Sequence, residues 1–289
     1  MTPLECRASW RGTGGRAYAY TTTITDPTTF ENSASGLTIT NGKGWTVKAD
    51  TLGFERKRNP DKKNHYGVRN PSQCQIDALE QLHAPADYHG LVDSHAYSVA
   101  SYYGKKWLVA DAGANDVLSV DDHGRIRTVA VLPPQPLRIT KDIAAAMKAP
   151  DCLVGATYAF EPVPTDVEVG RDGFLYVTTL PGGPEDPSLG ARGSVYKVNP
   201  HTGRTWRVAT GLSGATNLAL GREGRIYVTE LFGGQVSVVR HGQVRPYVDL
   251  PGALSVESGR HGRLFAGTIG AEDGSAPGTV VRISAGHDD

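Results

Sequence analysis

The chain has 289 residues with 30 basic and 30 acidic side chains, so its formal charge is zero. This balance provides no basic surface of the kind that holds nucleic acid. No stretch approaches about 18 apolar residues, so no membrane span is predicted, and Met1 to Tyr20 lacks the apolar core of a signal peptide. The 35 glycines and 18 prolines are spread between apolar segments, which is typical of short strands joined by tight turns.

The first predicted unit is a degenerate group of strands from Gly15 to Asp50. Residues Ala17 to Ile24 alternate as a strand, and Leu37 to Thr40 with Trp45 to Ala49 form a hairpin around Asn41-Gly42. The segment before it, Met1 to Gly15, shows no comparable pattern.

Two insertions interrupt the later strands. The first, Thr51 to Asp93, holds a charged run from Glu55 to Lys63, predicted as a solvated loop, and a short helix that starts at Ser72 and runs through Leu82. The second, Pro133 to Pro162, holds a helix from Lys141 to Lys148 with Thr140 as its N-cap. Both are expected to cap one face of a single domain that spans residues 1 to 289.

One cysteine falls in each insertion. The sequence therefore favours a Cys74–Cys152 disulfide that ties the insertions together, with Cys6 as a spare thiol; the alternative is two unrelated buried thiols. The wide spacing of the three cysteines does not favour a zinc site.

A repeat fixes the architecture. The segment Thr165 to Leu180 recurs as Thr216 to Leu231, 51 positions later, and looser copies run from Ala253 to Thr268 and from Ala96 to Asp111. Each copy has an alternating strand, a turn ending in glycine and a second strand.

Third strands follow each copy, and most copies add a fourth. Four antiparallel strands per repeat of about 40 to 50 residues is the blade of a β-propeller. A β-sandwich has similar strands but no reason for so regular a repeat. The fold class is therefore all-β, a propeller with about five evident blades. The last blade lacks a fourth strand after Ile283, and Ala17 to Ile24 is a candidate to supply it.

The repeat places a polar residue at the head of each inner strand. These residues, which should converge on the central channel, are Ser98, Asp166, Asn217 and Ser255. Carboxylate, amide and hydroxyl oxygens suit a hard divalent cation, with calcium preferred. The alternative is a channel rim that binds only water. No nucleotide motif or organic cofactor is predicted.

Nearby residues could move protons in a reaction. The catalytic candidates are His95, Asp93 and Glu168, with Glu257 as a weaker companion. A structural role is the competing interpretation for each of them. The sequence contains no serine-hydrolase, zinc-protease or P-loop motif.

Several segments resemble the ScyD/ScyE family of propellers. They include Pro164 to Val169, Tyr176 to Gly190, Gly214 to Leu218, Val109 to Asn115 and Asp151 to Pro162, within a match from about Asn59 to Ile283. The resemblance implies six blades and a usually secreted protein, in a family widespread in actinobacteria and related to NHL and gluconolactonase/regucalcin-like propellers. This chain departs from it by about one blade, by its missing signal peptide, and by Ser98 and Ser255 where the lactonase-like relatives carry metal ligands.

Three functions remain open at this stage. The first is a ligand-binding propeller with a divalent cation at the channel mouth, whose partner is a small molecule or a protein. The second is a metal-dependent lactonase-like hydrolase or natural-product tailoring enzyme. The third is a noncatalytic propeller that binds another protein through its flat face.

Overall fold

The computed structural model describes residues 7–12, 15–103, 106–184, 186–271 and 275–284. These residues form a nearly all-β structure of six antiparallel sheets, five with four strands and one with three. Five sheets are propeller blades in chain order, and the sixth is built from the two insertions. The propeller prediction is confirmed, with the insertion sheet as an addition that the sequence did not reveal.

Each of the first four blades takes its four strands consecutively from the chain, and blade 5 has three. Blade 1 comprises β1 (Arg7–Gly12), β2 (Gly15–Thr25), β3 (Asn32–Thr40) and β4 (Thr46–Asp50). Blade 2 comprises β7 (Ala96–Tyr102), β8 (Lys106–Asp111), β9 (Asp116–Asp121) and β10 (Ile126–Val131). Blade 3 comprises β13 (Pro164–Val169), β14 (Leu175–Thr179), β15 (Gly193–Val198) and β16 (Thr205–Leu212). Blade 4 comprises β17 (Ala215–Leu220), β18 (Ile226–Glu230), β19 (Gln235–Arg240) and β20 (Gln243–Asp249). Blade 5 comprises β21 (Ala253–Ser258), β22 (Leu264–Thr268) and β23 (Val280–Ile283).

The two insertions pair with each other. Their short strands form one sheet in the order β11, β12, β5, β6, with β5 (His65–Gly67), β6 (Asp87–His89), β11 (Gln135–Arg138) and β12 (Thr157–Phe160). Their helices are α1 (Thr51–Arg58), α2 (Gln73–Gln81) and α3 (Lys141–Ala146). The insertion sheet shares an apolar cluster with α2 and α3 that includes Leu79, Leu153 and Tyr158, whereas Phe54 of α1 packs against the cluster of blades 1 and 2.

Two of the three helices match the sequence prediction and one does not. Ser72 caps α2 in a capping box with Gln75, and Thr140 caps α3. In the charged run predicted as a loop, Glu55 to Arg58 instead belong to helix α1, which is capped by Asp50, whereas Asp61 to Lys63 form a turn. The basic residues of α1 are solvent exposed. The amphipathic pattern was hidden because Thr51 and Glu55, two of the positions α1 buries, are polar.

The inner strands pack side by side. Strand β7 contacts β13, β13 contacts β17, β17 contacts β21, and β1 and β2 pack against β7. Apolar clusters fill the layers between successive blades; Leu108, Val177 and Val198 belong to the layer between blades 2 and 3. Among the described residues, no strand of blade 5 packs extensively on blade 1.

A shared irregularity shapes the head of four inner strands. In each, the strand register shifts immediately before the head residue, at Ala96/Ser98, Pro164/Asp166, Ala215/Asn217 and Ala253/Ser255. Such a bulge inserts one residue and re-aims the next side chain. Equivalent positions of the sequence repeat therefore also share the same local backbone geometry at the head of each inner strand.

The closure proposed for the last blade is wrong. Residues Ala17 to Ile24 lie in β2, which pairs with β1 and β3 in blade 1. Strand β23 pairs with β22 in a sheet of three strands. The alternating pattern of Ala17 to Ile24 is satisfied inside its own blade, which leaves no free edge for blade 5.

The predicted disulfide is confirmed. Cys74 at the start of α2 and Cys152 in the second insertion are bonded across a sequence separation of 78 residues. The Gln75 side chain also donates to the Cys152 carbonyl at 3.1 Å. The two insertions are thus joined by strand pairing, an apolar cluster and a covalent link.

Candidate functional site

The head residues of blades 3 and 4 meet as the repeat predicted. The Asn217 amide donates to Asp166 Oδ2 at 2.6 Å, and the backbone N–H of Leu218 donates to the same oxygen at 2.9 Å. The Asn217 amide oxygen accepts from the Val256 N–H in blade 5 at 2.7 Å. Each of these side chains therefore binds the backbone of the next blade, which is a structural role in itself.

Burial dominates the electrostatics of this pair. Asp166 is almost fully buried, and burial raises its pKa to about 6 against the opposing effect of the hydrogen bond from Leu218. Ser98 is buried as well, and its hydroxyl acts on Asp166 to lower the pKa of that carboxyl. Ser255 is exposed, and among the described residues blade 5 packs extensively on blade 4 alone.

The three catalytic candidates do not form one group. Asp93 accepts from the Asn32 amide at 3.0 Å and from the Ser94 N–H at 2.8 Å. Burial lowers the pKa of His95, with the charge of Asp93 acting in the opposite direction. Asp93 and His95 thus interact with each other in the segment that enters β7.

Glu168 belongs to the other end of the inner strands. It lines a cavity of about 630 Å³ together with Glu257 and the turns that follow β13 and β17. Burial, followed by the charges of Asp166 and Glu257, raises the pKa of Glu168 well above its usual value. A carboxyl that stays protonated beside other carboxyls is a potential proton donor.

A channel cation on Ser98, Asp166, Asn217 and Ser255 stays a prediction. Two of these residues already use their oxygens in bonds between blades. Among the residues that the structure describes, no group of three His, Cys, Asp or Glu side chains surrounds a single point closely enough to hold a metal ion. The regions described also contain no helix long and apolar enough to cross a membrane.

A mainly apolar cavity lies within the insertions and was not foreseen. Its volume is about 420 Å³, within the range of small-molecule sites. Most of its walls come from the two insertions, with Leu79, Leu82, Ile143, Leu153 and Phe160 among them. The remainder comes from the segment of blade 3 between β14 and β15 that contains Gly183 and Leu189. Arg192 stacks on Phe160 at 4.5 Å and donates to the carbonyls of Pro181 and Gly182, which fixes the adjoining loop.

The polar end of this cavity is formed by Glu161 with two tyrosines. Burial, with added repulsion from Asp61 and Asp93, raises the pKa of Glu161 to about 7, and the Tyr88 hydroxyl partly offsets the rise. Tyr158 donates to the Pro85 carbonyl at 2.9 Å and is thereby held in the wall. The cavity therefore offers a carboxyl that can accept or donate a hydrogen bond near neutral pH.

A second unforeseen feature is a group of buried carboxyls beside blade 2. It consists of Glu55, Asp61, Asp111 and Asp116, each exposed by no more than 1%. Asp111 is fully hydrogen bonded: it accepts from the Ser94 hydroxyl and from the N–H groups of His95 and Ala114. Glu55, Asp61 and Asp116 each have at least one carboxyl oxygen with no hydrogen-bond partner among the described residues.

The sequence did carry one signal of this group. Asp111 and Asp116 pair directly across the β8–β9 hairpin, and like charges in that position are unfavourable without compensation. Glu55 and Asp61 gave no signal, because they lie in the run taken for a solvated loop. Their approach to blade 2 depends on how the first insertion folds back.

Comparison with known proteins gives similarity in structure alone. No family model and no curated protein matches the sequence. Regucalcin from Agrobacterium tumefaciens, described as a calcium-binding protein, matches with a TM-score of 0.52 at 12% identity over 97% of this chain and 75% of its own. A Bacteroides caccae protein of unknown function matches with a TM-score of 0.45 at 12% identity over 70% of this chain and 61% of its own. Virginiamycin B lyase from Staphylococcus aureus matches with a TM-score of 0.41 at 11% identity over 95% of this chain and 82% of its own.

The described residues thus have the fold of a β-propeller. At 12% identity the match to regucalcin shows the fold alone. The resemblance to the ScyD/ScyE family stays a prediction.

Proposed function

We propose that the protein is a ligand-binding propeller whose small-molecule site is the cavity within the insertions. The observation that carries this proposal is the cavity itself: about 420 Å³, apolar walls and Glu161 at its polar end. Apolar sites with a few placed polar groups are the usual form of a ligand pocket. The disulfide and the pairing of β5 with β12 hold its walls together before any ligand arrives.

The chemistry of the walls defines the ligand class. Leucine, isoleucine and aromatic side chains favour a compact hydrocarbon or aromatic body. Glu161 and Tyr88 favour one polar group, such as an amine, amide or hydroxyl, at the end of that body. A fully charged or sugar-like ligand would leave its polar groups unpaired against the apolar walls.

The test uses N-phenyl-1-naphthylamine, a neutral dye that fluoresces in apolar surroundings and carries one N–H donor. We expect saturable binding with one dye per chain. Ala149→Phe, which fills the cavity wall, should weaken binding at least about tenfold. The matched control is Ala146→Phe, because Ala146 is an exposed alanine of α3 outside the cavity lining. Equal dye binding by both variants would remove the proposal.

A second candidate function is a lactonase-like hydrolase acting at the other end of the channel. Glu168 favours it, since this raised-pKa carboxyl faces a cavity of about 630 Å³ beside Glu257. In that reaction Glu168 would donate a proton to the leaving oxygen. A divalent cation held by Asp166 and Asn217 would polarise the carbonyl. Hydrolysis of δ-gluconolactone with added calcium, lost in Glu168→Gln, is the expected result, and absence of turnover in the wild type would exclude this reaction.

A further inference from the structure

Three of the buried carboxyls beside blade 2 lack the partners that burial demands. Within the part of the chain that the structure describes, both carboxyl oxygens of Glu55, both of Asp116 and Oδ1 of Asp61 are buried without a hydrogen-bond partner. The amide oxygen of Asn59 is in the same condition. Buried polar groups are nearly always paired in folded proteins, so six unpaired oxygens in one region require an explanation.

These oxygens belong to one locality. Asn59 follows α1 one turn after Glu55, and its N–H donates to the Glu55 carbonyl at 2.8 Å. Asp61 Oδ2 accepts from the Asn115 amide at 3.0 Å, which joins it to the residue next to Asp116. Tyr66 donates to the same Asp61 oxygen at 2.9 Å and leaves Oδ1 unpaired.

No cationic side chain explains the arrangement. Within the described ranges, the ion pairs of Lys, Arg and His involve Asp87, Asp121, Asp122, Asp172 and Glu223, and none reaches Glu55, Asp61 or Asp116. Protonation alone does not explain it either. A neutral carboxyl has an O–H that needs an acceptor, and neither Glu55 nor Asp116 has a partner atom at hydrogen-bond distance.

We propose that Glu55, Asp61, Asp116 and Asn59 bind one divalent cation, with calcium preferred. The donor set is oxygen only and contains no histidine or cysteine, which favours a hard cation over zinc. The C-terminal end of α1 adds the partial negative charge of its free carbonyls. The three carboxylates do not already surround one point, so Asn59, backbone carbonyls and water complete the shell as calcium draws the side chains inward.

None of these four residues lines the proposed ligand cavity or heads an inner strand, and a cation held by them would tie the first insertion to blade 2. Glu55, Asn59 and Asp61 come from the insertion, whereas Asp116 begins β9. A cation between them replaces mutual repulsion by shared attraction. Its expected role is therefore to hold the insertion on the blade.

The experiment compares calcium binding by calorimetry and thermal unfolding after removal of metals with a chelator. We expect the wild type to bind one calcium ion in this site and to unfold at a higher temperature as calcium is added. Asp116→Asn and Glu55→Gln should each lose that ion and the calcium-dependent rise. Without calcium they should unfold no lower than the wild type, since each removes an uncompensated carboxyl. Glu80→Gln, an exposed glutamate on α2, should behave as the wild type.

The variant Asp166→Asn shows whether the ion binds at this site or at the predicted channel site. Retention of the ion by Asp166→Asn, with loss in Asp116→Asn, supports the proposal. Loss in Asp166→Asn alone would assign the ion to the channel and overturn it. Absence of calcium, magnesium and manganese binding by the wild type would overturn it as well.

Discussion

Glu161 should give the protein a stability that declines as the pH rises. Its pKa rises from the usual 4.5 to about 7 in the folded state, chiefly through burial and then through repulsion by Asp61 and Asp93. The folded state therefore holds this proton more tightly than the unfolded state does. The stabilisation is complete below about pH 4.5 and is lost as the pH increases through 7.

The size of the effect follows from the shift. A rise of this extent corresponds to roughly 3 kcal/mol of unfolding free energy at full strength. The Glu161 side chain is partly accessible to solvent, so about 1 to 3 kcal/mol is the expected range. Glu161→Gln keeps a neutral hydrogen-bonding group of the same shape and removes the titration. The unfolding free energy of the variant, relative to that of the wild type, should therefore increase by this amount between pH 4.5 and pH 8.

The measurement is urea unfolding of both proteins at several pH values in the presence of a chelator. The difference between them cancels the contributions of carboxyls that do not interact with Glu161 and retains its coupling to Asp61 and Asp93. Glu80→Gln, which removes an exposed negative charge on α2, is the matched control. A difference between Glu161→Gln and the wild type that stays constant from pH 4.5 to pH 8 would refute the assignment.

Three further predictions concern the insertions and the channel. Replacing Cys74 and Cys152 by serine opens a loop of 78 residues and should lower the unfolding free energy by up to about 4.5 kcal/mol; Cys6→Ser, at a position outside the described residues, is the control in urea unfolding. Asn217→Ala leaves the Val256 N–H without its acceptor and should cost about 1 to 3 kcal/mol. Asn217→Asp keeps that acceptor. If both variants lose the same unfolding free energy, repulsion between the new carboxylate and Asp166 costs as much as the lost hydrogen bond to the Val256 N–H. Gly67→Ala should cost more than Gly190→Ala in the same assay. Both glycines have positive φ, but a Cβ on Gly67 would overlap the Ala86 carbonyl whereas one on Gly190 meets open space.

The sequence predicted those parts of the fold that local pattern determines. The 51-residue repeat placed Asp166 beside Asn217 correctly, because residues in equivalent positions of adjacent blades must be neighbours. The capping signals at Ser72 and Thr140 located α2 and α3, because an N-cap bonds only to residues of the first helical turn. These features follow from short-range geometry and need no knowledge of distant contacts.

The rest depended on contacts between distant segments. Strands β5 and β6 have three residues each and no alternation that distinguishes them from loops. The acidic group brings together Glu55 of the first insertion and Asp116 of blade 2, which are far apart in the sequence. A carboxylate in a charged run is interpreted as solvated unless the residues that pack around it are known. The Glu161 cavity exists only because the two insertions pair, which no local pattern in either one indicates.

Several side chains reach forward along the chain to the backbone of the next blade. Thr165 in blade 3 donates to the Ala215 carbonyl of blade 4 at 2.9 Å, and Thr216 in blade 4 donates to the Leu254 carbonyl of blade 5 at 2.9 Å. Asp166 and Asn217 reach forward in the same way. Among the described residues, blade 5 packs extensively on blade 4 alone, and in a linear array each unit is stabilised only by its neighbours. Local opening should therefore begin at blade 5 and spread backwards, so amide hydrogens of β21 and β22 should exchange earlier than those of β13 and β14.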